Sequence, residues 1–460
     1  MQNSLVTIPL LANHLGLSFT QVKATVNMLD EGSTIPFISR YRKEATGNLD
    51  EVDIERIKNG IEKYRDIEQR KHTILSTIEE QGKLTDELRK RIEDCWDLNI
   101  LEDIYLPYKP KRKTRATVAR ERGLEPLAMW LLNEPAGDVF VEAAKFLTDD
   151  VADEDVALEG ARDIIAEIIN ENEVARAVIR NEYEKNAEVI ATVYKSKKDE
   201  AIKFSDYFDF AEPLKKCPSH RILAVFRGED EGFLKVRIEP DKDFALEKLD
   251  KLYLKKNNQA SGHVAEAIED CYERLLGPSM ENEFRSIAKQ RADEEAIRVF
   301  TENLRQLLLS APLGSKRIMG IDPGFRSGCK VVCLNEEGKL LHDDIIYPHQ
   351  PSNQVADSIN KLYTLAKKFN IEAISVGNGT AGRETEELVR SITFSHPIEI
   401  FMVSESGASV YSASEVARDE FPDKDVTVRG AVSIGRRLSD PLAELVKIDP
   451  KSIGVGQYQH

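Results

Sequence analysis

The sequence predicts a mainly α-helical protein of several domains that ends in an α/β domain, and three observations carry this prediction. Apolar residues recur every three or four positions over long stretches, as from Ile54 to Ile78, which is typical of helices that bury one face. After Arg317 the pattern changes to short apolar runs separated by turn residues. At 460 residues the chain is also too long for one hydrophobic core, so two or three domains are expected.

Composition excludes several classes of protein. Hydrophobic residues make up 41% of the chain and charged residues 31%, and no apolar run approaches the roughly 18 residues of a membrane span. The 5 cysteines are scattered without a Cys-x-x-Cys pair, so we expect reduced thiols in a cytoplasmic protein that has no membrane partner. The net charge of −16 repels a nucleic-acid backbone, so any binding of nucleic acid has to use a local basic patch.

Residues 1 to 105 are predicted to form an array of helices joined by short turns. Ser18 can cap a helix that runs to Gly32, and a short helix follows from Pro36 to Ala45. Asp50 can cap a long helix that ends at Gly82. Two roles are open for this region: a helix-turn-helix that reads DNA, or a scaffold, since helix pairs with short turns are common in all α-helical proteins.

The middle of the chain is predicted to be helical with one strand. A helix is expected from Val156 to about Tyr194, and the alternation of apolar and polar residues predicts a strand from Phe233 to Ile238. A further helical segment, from Ala265 to Leu309, is expected to be broken at Gly277 and Pro278.

A basic segment, residues 109–122, holds seven basic residues in fourteen positions, with only Glu121 against them. Its prolines and Thr114 prevent a regular helix at its start, which predicts that its charges lie on an extended, accessible loop. Phosphates are one candidate partner for these charges, and the protein's own acidic helices are the other. The candidate nucleic-acid-binding residues are Lys109, Lys111, Arg112, Lys113, Arg115, Arg120 and Arg122.

The last third of the chain has the element order of an RNase H-like fold. Three short strands joined by tight turns follow Arg317, and helix then alternates with strand from Val355 to Val403. The first strand ends at Asp322, where nucleases of this fold place a metal ligand. Such nucleases hold two divalent ions between carboxylates that come from different strands and one late helix.

The remaining acids decide between an active and an inactive nuclease. The fourth strand should end on a carboxylate, but Gly377 and Asn378 stand there. Glu405 and Asp440 are the other candidates for catalysis beside Asp322, which is also the candidate metal ligand. Each has a simpler interpretation: Asp322 as part of an Asp-Pro-Gly turn, Glu405 as a solvated loop acid, and Asp440 as a helix cap before Pro441. Mg²⁺ is expected only if the nuclease interpretation holds.

Residues 377 to 382 also form a G-x-G-x-x-G motif, which we call the glycine loop. The motif follows a strand and opens a helix, as in dinucleotide-binding domains. Those domains carry the motif after their first strand, whereas three antiparallel strands precede it here. A phosphotransferase that clamps ATP between Asp322 and the glycine loop is a related alternative.

Several long segments resemble the bacterial transcription accessory family Tex. The segments are Thr34–Glu44, Leu101–Lys111, His220–Ala224, Met319–Gly324, Gly377–Ala381 and Asp440–Leu445. The resemblance implies a helical N-terminal region with a helix-turn-helix, a YqgF domain of the RNase H-like fold, and then helix-hairpin-helix motifs and an S1 RNA-binding domain. Because the sequence stops at His460, where no further domain is completed, we expect it to be truncated before those last two modules.

These observations predict four regions and one function. The regions are a helical N-terminal region (1–210), a helical central region with a short strand segment (211–314), the YqgF-like domain (315–446) and the start of a truncated helix-hairpin-helix region (447–460). The expected function is a transcription accessory scaffold that binds RNA or DNA, with the transcription machinery as a further partner and no catalytic activity. A metal-dependent nuclease, or less favoured a nucleotide-binding phosphotransferase, is the alternative.

Overall fold

The computed structural model describes residues 4–110, 113–133 and 136–453, and the chain forms two compact units. One unit consists of the described residues up to Ile190 together with Ala211–Lys215 and Arg237–Arg285. The other consists of Ala191–Phe210, Lys216–Val236 and the described residues from Ser286 onward. Within the described residues, no helix is both long and apolar enough to cross a membrane.

The chain up to Asn186 is helical. Its helices are α1 (Ser4–Leu15), α2 (Phe19–Asp30), α3 (Ile35–Tyr41), α4 (Lys43–Thr46), α5 (Glu51–Glu80), α6 (Asp86–Asp94), α7 (Leu98–Tyr105), α8 (Arg115–Glu121), α9 (Glu125–Leu132), α10 (Val139–Ala143), α11 (Glu154–Asn170) and α12 (Glu173–Asn186). The predicted caps are confirmed: Ser18 accepts a hydrogen bond from the backbone N–H of Gln21, and Asp50 accepts one from that of Asp53. These caps explain why α2 and α5 begin where the sequence predicted.

Two predictions for the middle of the chain are wrong. The single helix expected from Val156 to Tyr194 is divided at Asn172, whose side chain caps α12, and it ends in a strand. The expected break at Gly277 is absent, because a π-helical turn (Tyr272–Leu276) carries the chain into the next helix. Each error has a local cause, since Asn is a strong helix N-cap and one wide turn can absorb a residue that lacks an N–H.

A small three-stranded sheet follows the helical array. In chain order the elements are β1 (Glu188–Val193), β2 (Asp209–Pro213), α13 (Ser219–Asp230), β3 (Leu234–Glu239), α14 (Lys242–Tyr253), α15 (Gln259–Cys271) and α16 (Gly277–Leu308). The strand order is β2-β1-β3. The strand predicted from Phe233 to Ile238 is confirmed as β3.

The last part of the chain is the predicted α/β domain of the RNase H-like class. Its elements are β4 (Ile318–Asp322), β5 (Cys329–Leu334), β6 (Leu340–Ile346), α17 (Val355–Lys368), β7 (Ala373–Gly377), α18 (Gly382–Arg390), β8 (Glu399–Val403), α19 (Ala408–Ala413), α20 (Glu415–Glu420), α21 (Val426–Ser439) and α22 (Pro441–Leu445). The strand order is β6-β5-β4-β7-β8. The pairs β4–β5 and β5–β6 are antiparallel, whereas β4–β7 and β7–β8 are parallel.

Helices cover both faces of this sheet. On one face, Met319 and Ile321 of β4 pack with Leu362 of α17 and Val389 of α18. On the other face, α21 lies close to the backbone of β4, because a Cβ atom at Gly320 would stand only 2.7 Å from the carbonyl oxygen of Ala431. Gly320 is therefore required by the approach of α21, and this approach brings the helix to the end of β4.

Candidate functional site

Asp322 is the last residue of β4, the central strand, and its side chain faces α21. In the antiparallel ladder it stands opposite Lys330 of β5. A Cβ atom at Gly430 of α21 would lie 3.3 Å from its Oδ2 atom. The prediction that the first acid ends the first strand is therefore confirmed, and the side chain is half-buried between strand and helix.

Glu405 follows β8 and lies against the glycine loop. A Cβ atom at Gly377 would stand 2.6 Å from Glu405 Oε2, and one at Gly379 would overlap Oε1. The backbone N–H of Glu405 donates to Oδ1 of Asn378 at 3.2 Å, and the N–H of Asn378 donates to the carbonyl of Val403 at 3.0 Å. The interpretation of Glu405 as a solvated loop acid is wrong, since the glycines make room for its carboxylate and the loop holds its backbone.

The charge of Glu405 acts on Asp322. Burial raises the pKa of the Asp322 carboxyl to about 6, and the nearby negative charge of Glu405 adds to this shift. The positive charge of Lys330 acts in the opposite direction. Oε2 of Glu405 is buried and has no hydrogen-bond partner among the described residues. The structure thus places Glu405 close enough to Asp322 for its charge to act on the Asp322 carboxyl.

Lys330 is a member of this site that the sequence analysis missed. Its side chain is buried, and Nζ donates to the carbonyl oxygen of Ser327. Its charge opposes the rise in the pKa of Asp322 that burial causes. The pKa of Asp425 is lowered mainly by the hydrogen bond from the hydroxyl of Thr427, and the charge of Lys330 adds to that shift. The signal was a lysine inside the apolar strand β5, where an unpaired charge is unfavourable.

Arg437 is the second residue that sequence reasoning missed. Its Nη1 atom donates to the carbonyl oxygens of Ser404 at 2.8 Å and Ser406 at 2.7 Å, the residues on either side of Glu405. Burial lowers the pKa of this guanidinium, and the charges of Glu444 and Glu405 partly oppose that shift. Arg437 therefore fixes the segment that carries Glu405 over the glycine loop.

Asp440 lies away from Asp322. Its side chain accepts a hydrogen bond from the N–H of Ala443 at 3.1 Å and caps α22, with Pro441 at the first helical position. Asp322 faces Gly430, ten residues earlier on α21, which corresponds to roughly 15 Å of helix. The structure therefore supports the capping interpretation of Asp440 and does not bring this residue to Asp322.

The donor set does not fit a two-metal centre. Two divalent ions bring four positive charges, which carboxylates have to offset at short range. Asp322 and Glu405 supply two negative charges, and Lys330 adds a positive one beside them. Among the described residues, no group of three His, Cys, Asp or Glu side chains is placed to hold a metal ion.

The glycine loop does not fit a phosphate site either. In a phosphate loop the space above the glycines is left open for the ligand and is lined with backbone N–H groups. Here the carboxylate of Glu405 fills the space above Gly377 and Gly379. A phosphate would have to displace this carboxylate and overcome its negative charge.

The basic segment is divided by the structure. Lys111 and Arg112 lie outside the described residues. The prediction of an extended loop is wrong for Arg115 and Arg120, because Thr114 caps α8 and both residues are helical. Arg120 pairs with the buried Glu167 and with Glu125, and Lys113 pairs with Glu121 at 2.9 Å.

Three residues of the basic segment remain available to a ligand. Lys109, Arg115 and Arg122 are exposed, and none of them makes an ion pair within the described parts of the chain. Internal pairing therefore explains Lys113 and Arg120. Lys109 and Arg122 are exposed without an acidic partner in the described residues, whereas the charge of Arg115 also acts on the Asp163 carboxyl. Burial raises the pKa of that carboxyl, and the charges of Arg274 and Arg115 oppose this rise.

Three segments of the chain match known protein families. Residues 6–79 match the Tex-like protein N-terminal domain, residues 134–300 the Tex central region-like family, and residues 316–439 the Tex protein YqgF-like domain. The last segment contains Asp322, Lys330 and Glu405, and it ends one residue before Asp440.

Relatives cover nearly the whole chain. A Neisseria gonorrhoeae protein named transcriptional accessory protein Tex is 45% identical over 461 residues, which are 98% of this chain and 60% of that protein. The Bordetella pertussis protein tex is 44% identical over 469 residues, 98% of this chain and 59% of that protein. A human protein named S1 RNA-binding domain-containing protein 1 is 34% identical over 469 residues, 95% of this chain and 45% of that protein. The chain thus spans about three fifths of the length of these bacterial relatives.

Proposed function

Because the chain belongs to the Tex family, we propose that it is a nucleic-acid-binding accessory factor of transcription whose YqgF-like domain does not cut nucleic acid. The names of two relatives, a transcriptional accessory protein and an S1 RNA-binding domain-containing protein, support the general role. The bacterial relatives are longer than the matched region, and the role of those whole proteins is part of this proposal.

The arrangement of Asp322 and Glu405 carries the proposal of an inactive domain. Asp322 faces one other carboxylate and one lysine, whereas hydrolysis by two metal ions needs more negative charge at that point. The third candidate acid, Asp440, uses its side chain to cap α22. The domain keeps the fold of a nuclease and lacks the charge that would hold its ions.

Binding of nucleic acid is assigned to exposed basic residues. In a chain of net charge −16, a phosphate backbone is attracted only where cations are concentrated and unpaired. Lys109 and Arg122 meet this condition in the described part of the basic segment, and Arg115 is exposed without an ion pair there while its charge also acts on Asp163. Contacts of this kind are to phosphates, so binding through this segment is independent of base sequence.

A cleavage assay tests the inactive domain. The purified chain is incubated with single-stranded, duplex and branched DNA and RNA in Mg²⁺ or Mn²⁺, beside the Asp322→Asn variant. We expect no cleavage by either protein. Cleavage that persists in Asp322→Asn comes from a contaminant, whereas metal-dependent cleavage that Asp322→Asn abolishes overturns the proposal.

One observation favours the nuclease alternative. Burial raises the pKa of the Asp322 carboxyl and the negative charge of Glu405 adds to this rise, and Glu405 Oε2 has no partner among the described residues. Such a pair could hold a single divalent ion. Titration with Mn²⁺, followed by melting temperature in the wild type and in Glu405→Gln, tests this: a metal-dependent rise that Glu405→Gln removes supports a metal site.

A further inference from the structure

Two exposed aromatic side chains lie side by side on the outer face of α3. Phe37 is 39% exposed and Tyr41 is 63% exposed. They stand one helical turn apart, and their ring centres are 5.6 Å from each other. Ile38, the next residue of α3, is fully buried with Ile54 and Ile57 of α5. The inner face of α3 is therefore anchored, and the two rings are presented to solvent on a fixed helix.

Three exposed cations lie within two residues of Tyr41. Arg40, Arg42 and Lys43 are exposed, and no ion pair involving them occurs within the described residues. The guanidinium carbon of Arg42 lies 5.2 Å from the centre of the Phe37 ring. A groove of about 420 Å³, lined by Pro36, Ser39, Arg40, Lys43 and Glu51, borders the same surface.

The combination of rings and cations selects one kind of ligand. A single exposed apolar side chain needs no explanation, but a pair of rings among three unpaired cations is unusual in a chain of net charge −16. Unstacked bases bind to aromatic rings through their faces, and the phosphates that link the bases are attracted to nearby Arg and Lys. A duplex keeps its bases stacked and hides their faces, so the surface matches a single strand.

We propose that Phe37, Tyr41, Arg40, Arg42 and Lys43 form a stacking platform that binds single-stranded nucleic acid. The two rings stack against successive bases, and Arg40, Arg42 and Lys43 contact phosphates along the strand. This inference rests on the proposed function, because it locates part of the nucleic-acid binding on the N-terminal helices. It adds a site separate from the basic segment and a preference for single strands.

The test uses the whole chain and labelled oligomers of deoxythymidine and of uridine, each compared with an abasic oligomer of equal length. We expect Phe37→Ala/Tyr41→Ala to weaken binding of the base-bearing oligomers by about 10-fold or more. Binding of the abasic oligomer should be unchanged, because it offers phosphates and no bases. Tyr41→Phe keeps the ring and should bind within about 2-fold of the wild type.

Two further variants separate the platform from general effects. Phe37→Leu/Tyr41→Leu keeps apolar helix-forming side chains without ring faces, so it should fold as the wild type does and show the same fall in affinity. Phe244→Ala/Lys248→Gln is a matched control, since Phe244 is 60% exposed and lies one turn from the exposed Lys248 on α14. This control should leave binding unchanged.

The cations have their own readout. Replacing Arg40 and Lys43 with Gln should make the dependence of log K on log salt shallower by about 0.7 for each phosphate that the variant no longer binds. If the wild type binds single strands and both ring variants bind them equally well, the platform is wrong and the proposed function stands. If the wild type binds neither base-bearing nor abasic oligomers, the proposed function fails with it.

Discussion

The carboxylate of Glu405 lies against Gly379, in the space that a side chain at position 379 would occupy. The backbone at Gly379 is outside the left-handed region, so its glycine is explained by this close approach and not by its φ angle. The G-x-G-x-x-G motif, which resembles a phosphate-binding loop, therefore leaves room for an acidic side chain. The same relationship gives the first prediction.

Gly379→Ala should lower stability by about 1–3 kcal/mol, because the new methyl group overlaps Glu405. In a Glu405→Ala background the same substitution should have little effect. The melting temperatures of the two single variants and the double variant form a thermodynamic cycle, and we expect a coupling of about 0.5–3 kcal/mol. Additive effects would mean that Glu405 does not occupy this space.

The position of Glu405 also gives a test of the phosphotransferase alternative. A loop filled by Glu405 should give no rise in melting temperature with ATP and Mg²⁺ in the wild type. A nucleotide-dependent rise that Asp322→Asn removes would instead support binding of phosphates between Asp322 and the glycine loop.

The sequence predicted those parts of the fold that depend on neighbouring residues. Ser18 and Asp50 cap helices through bonds to residues three positions away, so their role is readable from a short window. The strands β4 to β8 are short apolar runs bounded by turns, so their order along the chain follows from that pattern. The residues Val189 to Val193, in contrast, form a strand because of their neighbours in the small sheet, which a local pattern does not contain.

The candidate site was predictable only in part, for the same reason. Asp322 is marked by the strand that it ends. Lys330 and Arg437 interact with residues that are distant in sequence or with backbone carbonyls, so no sequence motif identifies them. The position of Glu405 depends on how β8 pairs with β7, because this pairing places residue 405 above residues 377 and 379. Such contacts require the tertiary structure.

A second prediction concerns the dependence of stability on pH. The pKa of Asp322 is raised to about 6 in the folded protein, above the ordinary value of 3.8. The folded state therefore binds a proton more tightly than the unfolded state, and ionisation of Asp322 destabilises the fold as pH rises from about 4 to 6. The decrease in stability reaches at most about 3 kcal/mol above that range.

Asp322→Asn removes this charge. We expect its melting temperature to exceed that of the wild type by a few degrees at pH 7.5, and the difference to shrink as pH falls towards 4. Glu405→Gln should also have a higher melting temperature than the wild type at pH 7.5, because it removes the negative charge that adds to the raised pKa of Asp322. A variant Asp322→Asn that is less stable than the wild type at pH 7.5 would contradict the raised pKa of Asp322.

A third prediction separates ligand-binding from structural cations in the basic segment. Replacing Lys109, Arg115 and Arg122 with Gln should weaken binding of any nucleic acid and make its salt dependence shallower by about one unit for each phosphate that is no longer bound. The melting temperature should stay the same, because these residues make no ion pair within the described chain. Affinity and salt slope that match the wild type would remove these residues from the interface.

Arg120→Ala is the matched contrast within the same segment. Its partner Glu167 is buried, so removal of the guanidinium should lower stability by about 1–3 kcal/mol. At temperatures where the variant remains folded, its affinity for nucleic acid should equal that of the wild type. The Lys111→Ala/Arg112→Ala/Lys113→Ala variant tests the rest of the segment, and it should behave like the Gln variant if these residues contact phosphates.

The last prediction concerns Asp440, where a cap and a metal ligand give opposite results with the same conservative change. As a cap, Asp440 accepts a hydrogen bond from the N–H of Ala443, and removal of its side chain in Asp440→Ala should cost about 1 kcal/mol. Asn accepts the same bond, so Asp440→Asn should keep nearly the full melting temperature. A metal ligand would behave otherwise, because an amide supplies no negative charge. If Asp440→Asn abolished a metal-dependent rise in melting temperature that the wild type shows, Asp440 would belong to a metal site, and the capping role would not explain it.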